Sequence, residues 1–198
     1  MLKSSYSLIA PIYDLAIEKA MRRARENSLL ALPRNSSCDV LISGVGTGLD
    51  LPFLPSLHRY TALDFNSAML KRARPRGKDL DINWLLGDSM NLPFANESFD
   101  HVVLHLIAAV VPEPELCMSE AARVLKPNGS ILLFDKFLRQ GQLAPLRRML
   151  TPLSRNIATR MDVVFEETLP AGLEVASDEP SLAMGWFRSI VLRKVTQA

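Results

Sequence analysis

Short apolar runs alternate with segments of helical periodicity along most of the chain. The first helix is expected at residues 11–32, where Pro11 suits the first helical turn and apolar side chains recur at helical spacing. Further helices are expected at about residues 49–57, 67–74, 113–125, 142–155 and 162–169. Apolar runs predict strands at about residues 38–43, 60–63, 82–86, 99–106, 130–134, 173–177 and 186–193.

The order of these elements predicts the fold class. Strands that alternate with helices form a parallel sheet covered by helices on both faces, which is an α/β fold. Ligands of such sheets bind beyond the carboxyl ends of the strands, near the point where the strand order reverses. The residues that directly follow each strand are therefore the first candidates for a functional site.

The composition is that of a globular protein. The 198 residues are 48% hydrophobic and 22% charged, which excludes wholesale disorder. The net charge of +2 is small for a protein that coats phosphate backbones, so nucleic acid is not an expected partner. Cys38 and Cys117 match no metal spacing and no disulfide framework. We therefore expect no metal site and a reducing, cytoplasmic compartment.

A glycine-rich turn follows the first predicted strand. Gly44, Gly46 and Gly48 alternate with other residues, and such a turn lets a ligand approach the backbone closely. No Gly-Lys-Ser/Thr follows, and the third glycine comes too early for the dinucleotide pattern G-x-G-x-x-G. A nicotinamide-dependent oxidoreductase is therefore disfavoured. A tight turn without a ligand is the structural alternative.

Two acidic residues follow the next two predicted strands. Asp64 lies about 20 residues after Gly44, where a carboxylate can accept hydrogen bonds from a ribose diol. Asp88 follows the third strand, where it can accept a hydrogen bond from an adenine amino group. The alternatives are a charge at the start of the next helix for Asp64 and an Asx turn for Asp88. Together with the glycine turn, the two carboxylates favour a nucleoside-containing ligand.

These segments, in this order, resemble the class I S-adenosylmethionine-dependent methyltransferases. The matching segments are residues 40–48, 63–70, 87–94, 98–100 and 123–129. The Leu-Pro-Phe and Arg-Val-Leu-Lys-Pro sequences within them resemble a subgroup that contains quinone C-methyltransferases and soluble bacterial phosphatidylethanolamine N-methyltransferases. The resemblance implies a Rossmann-like, seven-stranded, mostly parallel sheet with the final strand antiparallel, and S-adenosylmethionine as the cofactor.

The resemblance also implies how the chain is organised. One methyltransferase domain is expected over residues 1–198. Within it we expect an N-terminal lid and helix region in residues 1–34 and a cofactor-binding core in residues 35–138. Residues 139–198 are expected to supply the C-terminal helices and last strands.

By the same resemblance, residues at the ends of the first three strands contact the cofactor. They are Gly44, Gly46 and Gly48 for the methionine portion, Asp64 for the ribose, Phe65 and Met69 beside the adenine, and Asp88 and Ser89 at its edge. One position departs from the family, because Ile42 stands where an acidic residue is usual. A non-catalytic cofactor-binding protein therefore remains an alternative.

Three further side chains are candidates for the methyl-transfer step. Transfer from a sulfonium is an in-line displacement, which needs alignment and exclusion of water rather than a catalytic triad. The candidates are Tyr13 in the lid, His105 past the fourth strand as a base or orienting group, and Asp135 after the fifth strand as a partner for a cationic amine. A core tyrosine, a packed histidine and a buried ion pair are the alternatives.

The first hypothesis for the acceptor is a phospholipid amine, which means phosphatidylethanolamine N-methylation. The alternative is a soluble metabolite or a quinone precursor. Lys19, Arg22, Arg23 and Arg25 give the first helix a basic flank that can touch an anionic membrane, unless it is only a solvated face. We therefore expect a cytoplasmic protein with peripheral membrane contact. Leu106 departs from the phospholipid group, which tends to have an aromatic residue there.

Overall fold

Seven strands form one sheet in the computed structural model, which describes residues 21–141, 162–182 and 185–195. The strands are β1 (Asp39–Ser43), β2 (Arg59–Asp64), β3 (Asp81–Leu86), β4 (Phe99–His105), β5 (Leu125–Asp135), β6 (Leu173–Pro180) and β7 (Arg188–Lys194). Their order is β3-β2-β1-β4-β5-β7-β6. The first five strands are parallel, and β7 is antiparallel to both β5 and β6. The predicted seven-stranded, mostly parallel sheet is confirmed.

The helices are shorter than the periodicity predicts. They are α1 (residues 21–29 within the described part), α2 (Ser67–Ala73), α3 (Pro114–Val124) and α4 (Phe165–Thr168), with 3-10 turns at Leu51–Phe53 and Arg74–Gly77. The predicted helix at residues 49–57 is wrong in extent. Pro55 forces the preceding Leu54 into an extended conformation, so only one 3-10 turn forms. The predicted helix at residues 142–155, and the first part of that at 11–32, lie outside the described residues.

Strand β5 begins earlier than predicted because its first half contains a bulge. Leu125 pairs with Phe99, whereas Ser130 pairs with His101, so the register shifts between the two pairs. Asn128 lies in the shifted segment with a φ of +60°, which asparagine tolerates better than most residues. Beyond the bulge the strand runs in regular register to its carboxyl end.

Two layers of buried apolar side chains cover the faces of the sheet. Successive residues of a strand point to opposite faces, and Leu41 belongs to one buried cluster whereas Ile42 belongs to the other. Met118 of α3 packs in the cluster of Leu41. Leu29 of α1 and Leu70 of α2 pack in the cluster of Ile42. Helices α1 and α2 therefore share one face of the sheet, and α3 covers the other.

The strand order reverses between β1 and β4. Strand β1 pairs with β2 on one side and with β4 on the other, and all three run in the same direction. Their carboxyl ends, at Ser43, Asp64 and His105, lie at one edge of the sheet. This edge is where parallel sheets of this kind bind ligands.

Candidate active site

The glycine turn lies against the end of β2. The backbone amides of Gly44 and Val45 both donate to the carbonyl oxygen of Leu63, at 2.8 and 2.9 Å. Gly46 has a φ of +56°, and a Cβ atom placed on it would meet nothing within 4 Å. At Gly44 a Cβ atom would lie 2.6 Å from the Ile107 side chain. Gly44 therefore serves packing, whereas Gly46 faces open space that a ligand can occupy.

Asp64 ends β2 directly beside this turn. Its Oδ2 accepts a hydrogen bond from the amide of Gly46 at 2.8 Å, and its Oδ1 accepts one from the amide of Asn66 at 2.9 Å. Burial raises the pKa of the Asp64 carboxyl, and the two amide hydrogen bonds oppose that rise. The structure thus brings the predicted ribose carboxylate and the predicted glycine turn into contact.

The residues after Asp64 present an aromatic surface next to the carboxylate. Asn66 caps α2 by accepting a hydrogen bond from the amide of Ala68 at 2.9 Å. Phe65, just before the cap, is 41% exposed, whereas Met69 in the first turn of α2 is buried. An exposed ring at this place suits stacking on a flat base. The adenine contacts of both residues stay predictions.

The end of β3 separates Asp88 from Ser89. Asp88 is exposed, and its Oδ1 accepts a hydrogen bond from the amide of Met90 at 2.8 Å, which is the Asx turn considered as its alternative. Ser89 is buried, and the Ser43 hydroxyl donates to its Oγ at 2.8 Å. Ser43 therefore ties the end of β1 to the residues that follow β3. Ile42 is buried in the apolar cluster on the face of α1 and α2.

His105 occupies a more enclosed place than the sequence indicated. It is the last residue of β4 rather than a residue past it, because Leu106 adopts a left-handed φ of +58° and ends the strand. The His105 side chain is only 1% exposed. Its Nδ1 lies 2.8 Å from Asp50 Oδ1, and its Nε2 lies 3.0 Å from the Ser28 hydroxyl. The expected position past the fourth strand is therefore wrong, and these contacts are those of the alternative, a packed histidine.

Asp50 determines which ring nitrogen of His105 carries the proton. Its Oδ1 also accepts a hydrogen bond from Arg25 Nη1 at 2.8 Å. Burial alone would raise the pKa of Asp50, but Arg25 and His105 beside it bring that pKa far below its usual range. An ionised carboxylate can only accept hydrogen bonds, so Nδ1 of His105 is the protonated nitrogen. In the neutral ring, Nε2 is then an acceptor directed at Ser28.

Asp50 and Ser28 were not among the predicted site residues. Asp50 stands two residues after Gly48, between leucines, and an acidic residue in such an apolar run is the one signal that could have found it. Arg25 was assigned to the basic flank, and this is wrong because Arg25 is buried against Asp50. Arg22 and Arg23 are exposed as expected, whereas Lys19 and Tyr13 lie outside the described residues.

Asp135 ends β5 and braces the segment that follows β4. Its Oδ2 accepts a hydrogen bond from the amide of Ala109 at 2.9 Å, and its Oδ1 accepts one from the amide of Lys136 at 2.7 Å. Burial raises the pKa of its carboxyl. Asp64 makes contacts of the same kind but lies beside the open space at Gly46, whereas Asp135 is only 1% exposed. The described contacts of Asp135 therefore favour a structural role. A contact with an amine acceptor stays a prediction.

Comparison with known proteins agrees with this geometry. Residues 38–133 match the family described as "Methyltransferase domain". The chain is 32% identical over 182 residues to a phosphatidylethanolamine N-methyltransferase of Cereibacter sphaeroides. This match covers 89% of each of the two chains. It is 33% identical over 134 residues to a demethylmenaquinone methyltransferase of Renibacterium salmoninarum, covering 64% of this chain and 55% of that protein.

A solved structure shows the same fold. The chain solved in complex with the Trm112 methyltransferase activator of Haloferax volcanii superposes with a TM-score of 0.80. The match covers 100% of this chain and 99% of that one, at 19% identity.

The chain belongs to the class I S-adenosylmethionine-dependent methyltransferases. It falls in the subgroup that contains the phosphatidylethanolamine N-methyltransferases and the quinone C-methyltransferases. It is therefore an enzyme rather than a non-catalytic binding protein, and the predicted cofactor, S-adenosylmethionine, is confirmed.

The strand-end residues fit this cofactor. Gly46 leaves open the space that a side chain would fill, and Asp64 offers a buried carboxylate beside it. When bound, the cofactor supplies a methyl group that its sulfonium already activates. The protein then has to align the acceptor with that group and exclude water.

The first prediction concerns Asp64. The change Asp64→Asn should weaken S-adenosylmethionine binding by about 1.5–3 kcal/mol, because a neutral amide replaces the charged acceptor of the ribose hydroxyls. Calorimetric titration measures the affinity, and urea unfolding of the same variant controls for lost contacts to the two backbone amides. Unchanged affinity in a folded variant would contradict the ribose assignment.

The second prediction separates ligand space from backbone strain at Gly46. The change Gly46→Ala should lower cofactor affinity at least tenfold, because the added methyl group occupies the space left open there. Gly172→Ala is the matched control, since Gly172 has a φ of +83° and also no atom within 4 Å of a Cβ atom. Both variants should lose about 1–2 kcal/mol of stability. Equal cofactor affinity in the two variants would show that the space is not for the ligand.

The third prediction concerns Asp50. The change Asp50→Asn should lower the free energy of unfolding at pH 7 by about 3–5 kcal/mol, because it leaves the Arg25 guanidinium buried without its counter-charge. The pKa of Asp50 is lower in the folded than in the unfolded state, so its contribution is complete above about pH 4 and is lost as the pH falls further. The gap between wild type and variant should therefore narrow below pH ~4.

Urea unfolding at several pH values measures this gap. Asp39→Asn is the control, because it removes the carboxylate of an ion pair whose Arg59 side chain is 65% exposed, and it should change stability little. A deficit in Asp50→Asn that stays constant through acid pH would show that Asp50 is not ionised in the folded protein.

Proposed function

We propose that the enzyme methylates the amine of phosphatidylethanolamine or a closely related phospholipid. The observation that supports this acceptor is that the similarity to the Cereibacter sphaeroides enzyme spans 89% of both chains. A demethylmenaquinone methyltransferase of Paenarthrobacter aurescens matches 87% of this chain at 30% identity, but the match covers only 64% of its own length. The agreement over nearly the whole of both chains therefore favours the phospholipid methyltransferase.

A quinone precursor is the second candidate. The demethylmenaquinone methyltransferase of Renibacterium salmoninarum is as similar in identity, at 33%, but only 55% of that protein is matched. A quinone enzyme transfers the methyl group to carbon, so it has no cationic amine to deprotonate. The lipid amine and the quinone precursor therefore require different proton chemistry at the end of β4.

An amine acceptor needs a group that removes a proton. In the transfer a nitrogen–carbon bond forms, the carbon–sulfur bond breaks with its electron pair going to sulfur, and one proton leaves the nitrogen. His105 is suited to accept that proton, because Asp50 holds the other ring proton on Nδ1 and leaves Nε2 as the nitrogen with a free lone pair. For this the acceptor has to displace the Ser28 hydroxyl from Nε2.

The exposed side of α1 supports contact with a membrane surface. Arg22 and Arg23 are exposed on it, and Leu30 at its end is 58% exposed. None of the described helices is both long and apolar enough to cross a membrane. Contact through α1 would therefore be peripheral and would depend on anionic lipid.

The fourth prediction tests the lipid acceptor and the surface together. The purified enzyme should transfer labelled methyl groups into the lipid fraction of phosphatidylethanolamine vesicles, and the rate should rise with anionic lipid and fall with salt. Arg23→Glu should lower binding to anionic vesicles about tenfold, since it lowers the net charge near the membrane surface by two units. Lys71→Glu, the same charge change on α2, should leave vesicle binding unchanged.

Label recovered only from aqueous or quinone-like products of a cell extract would overturn the phospholipid acceptor. Equal vesicle binding by Arg23→Glu and wild type would contradict membrane contact through α1. The acceptor would still be tested by the methylation assay.

A further inference from the structure

A small cavity lies beside the glycine turn, on the face of the sheet that carries α1 and α2. Its volume is about 60 Å³, and it is lined by Arg22 and Arg25 of α1, by Arg76, and by Leu49, Pro52 and Phe53. Leu49 directly follows the last glycine of the turn. We call this cavity the arginine pocket.

Each of the three guanidinium groups is held in place by a separate contact. Arg22 lies over the Phe53 ring, 5.5 Å from its centre. Arg76 Nη1 donates to the carbonyl oxygen of Thr47 at 2.8 Å, and Arg25 Nη1 donates to Asp50. The cations are therefore fixed around the pocket before any ligand binds, which lowers the entropic cost of binding.

The described lining of the arginine pocket is basic. None of the described residues that line it is acidic. Asp50 lies 2.8 Å from Arg25 Nη1 and balances the charge of that side chain. The Arg22 guanidinium over the Phe53 ring adds a positive charge beyond this ion pair. A basic lining of this kind favours an anion that can accept several hydrogen bonds.

The size of the pocket favours a phosphate group. A water-sized group needs about 10–15 Å³ of such space, so a pocket of about 60 Å³ holds about four to six non-hydrogen atoms. A phosphate group falls within this range. Arginine forks match phosphate oxygens in geometry as well as in charge. We infer that the arginine pocket binds the phosphate group of the methyl acceptor. This inference rests on the proposed function, since a phospholipid amine carries its phosphate two carbons from the nitrogen.

The fifth prediction compares two exposed arginines. Arg22→Gln removes a guanidinium of the pocket, whereas Arg74→Gln removes one that lies 5.4 Å from the centre of the Trp84 ring, outside the pocket. In neutral detergent micelles containing phosphatidylethanolamine, Arg22→Gln should raise the KM for the lipid about tenfold or more. Arg74→Gln should leave that KM unchanged, and cofactor affinity should be the same in both variants.

A binding measurement makes the inference independent of turnover. Inorganic phosphate and glycerophosphoethanolamine are titrated calorimetrically into the full chain saturated with S-adenosylhomocysteine. Wild type and Arg74→Gln should bind both probes, and Arg22→Gln should bind both about tenfold more weakly. Tighter binding of glycerophosphoethanolamine than of inorganic phosphate identifies the headgroup, rather than free phosphate, as the natural ligand.

The outcomes separate the inference from the proposed function. If Arg22→Gln methylates the lipid with an unchanged KM, phosphate binding in the arginine pocket is contradicted. The phospholipid acceptor is then still supported. If wild type binds both probes more tightly than Arg22→Gln does and yet methylates no lipid, the result would support the phosphate site and overturn the phospholipid acceptor. Weaker S-adenosylmethionine binding by Arg22→Gln would show that the pocket holds the cofactor's carboxylate, and this would overturn the inference.

Discussion

One carboxylate oxygen, Oδ1 of Asp50, joins three parts of the molecule. It accepts hydrogen bonds from Arg25 on α1 and from His105 at the end of β4, both at 2.8 Å, while Asp50 itself follows the glycine turn. Inside a protein such a charge is tolerated only when its counter-charges are in place. The position of α1, the tautomer of His105 and one wall of the arginine pocket therefore depend on the same atom.

Backbone amides satisfy the other buried carboxylates at this edge of the sheet. Asp64 binds the amides of Gly46 and Asn66, and Asp135 binds those of Ala109 and Lys136. The position of a backbone amide is set by the path of the chain. The partners of these two carboxylates are therefore determined by the turns and strand ends. Asp50 differs because both of its described partners are side chains, which can move with α1.

The cofactor half of the site could be predicted because it depends on strand ends. Parallel strands bring their carboxyl ends to one edge, so the glycine turn and Asp64 had to meet wherever the strands began. The contact of Asp50 with Arg25 could not be predicted in this way. It depends on the rotation of α1 about its axis, and three arginines within four positions do not show which one faces inward.

Local signals located most helix ends and most strand starts to within two residues, and the helix predicted at residues 49–57 and the start of β5 are exceptions. Pro55 lies inside the helix predicted at residues 49–57, and the structure shows that it shortens this helix to one turn. Helix α3 ends at Val124, one residue before its predicted end, and the residues that follow it form a bulge that belongs to β5. Whether such residues pair with the sheet depends on the neighbouring strand. This pairing cannot be predicted from the sequence of the residues themselves.

The short 3-10 turn at Leu51–Phe53 changes the source of positive potential beside the glycine turn. In many nucleotide-binding sheets a long helix starts there, and its aligned peptide dipoles present a fixed partial positive charge that no side-chain substitution removes. Three residues cannot build up such a dipole. Next to Gly48 the positive field comes instead from guanidinium groups, so single substitutions can change this field step by step without a change in the backbone.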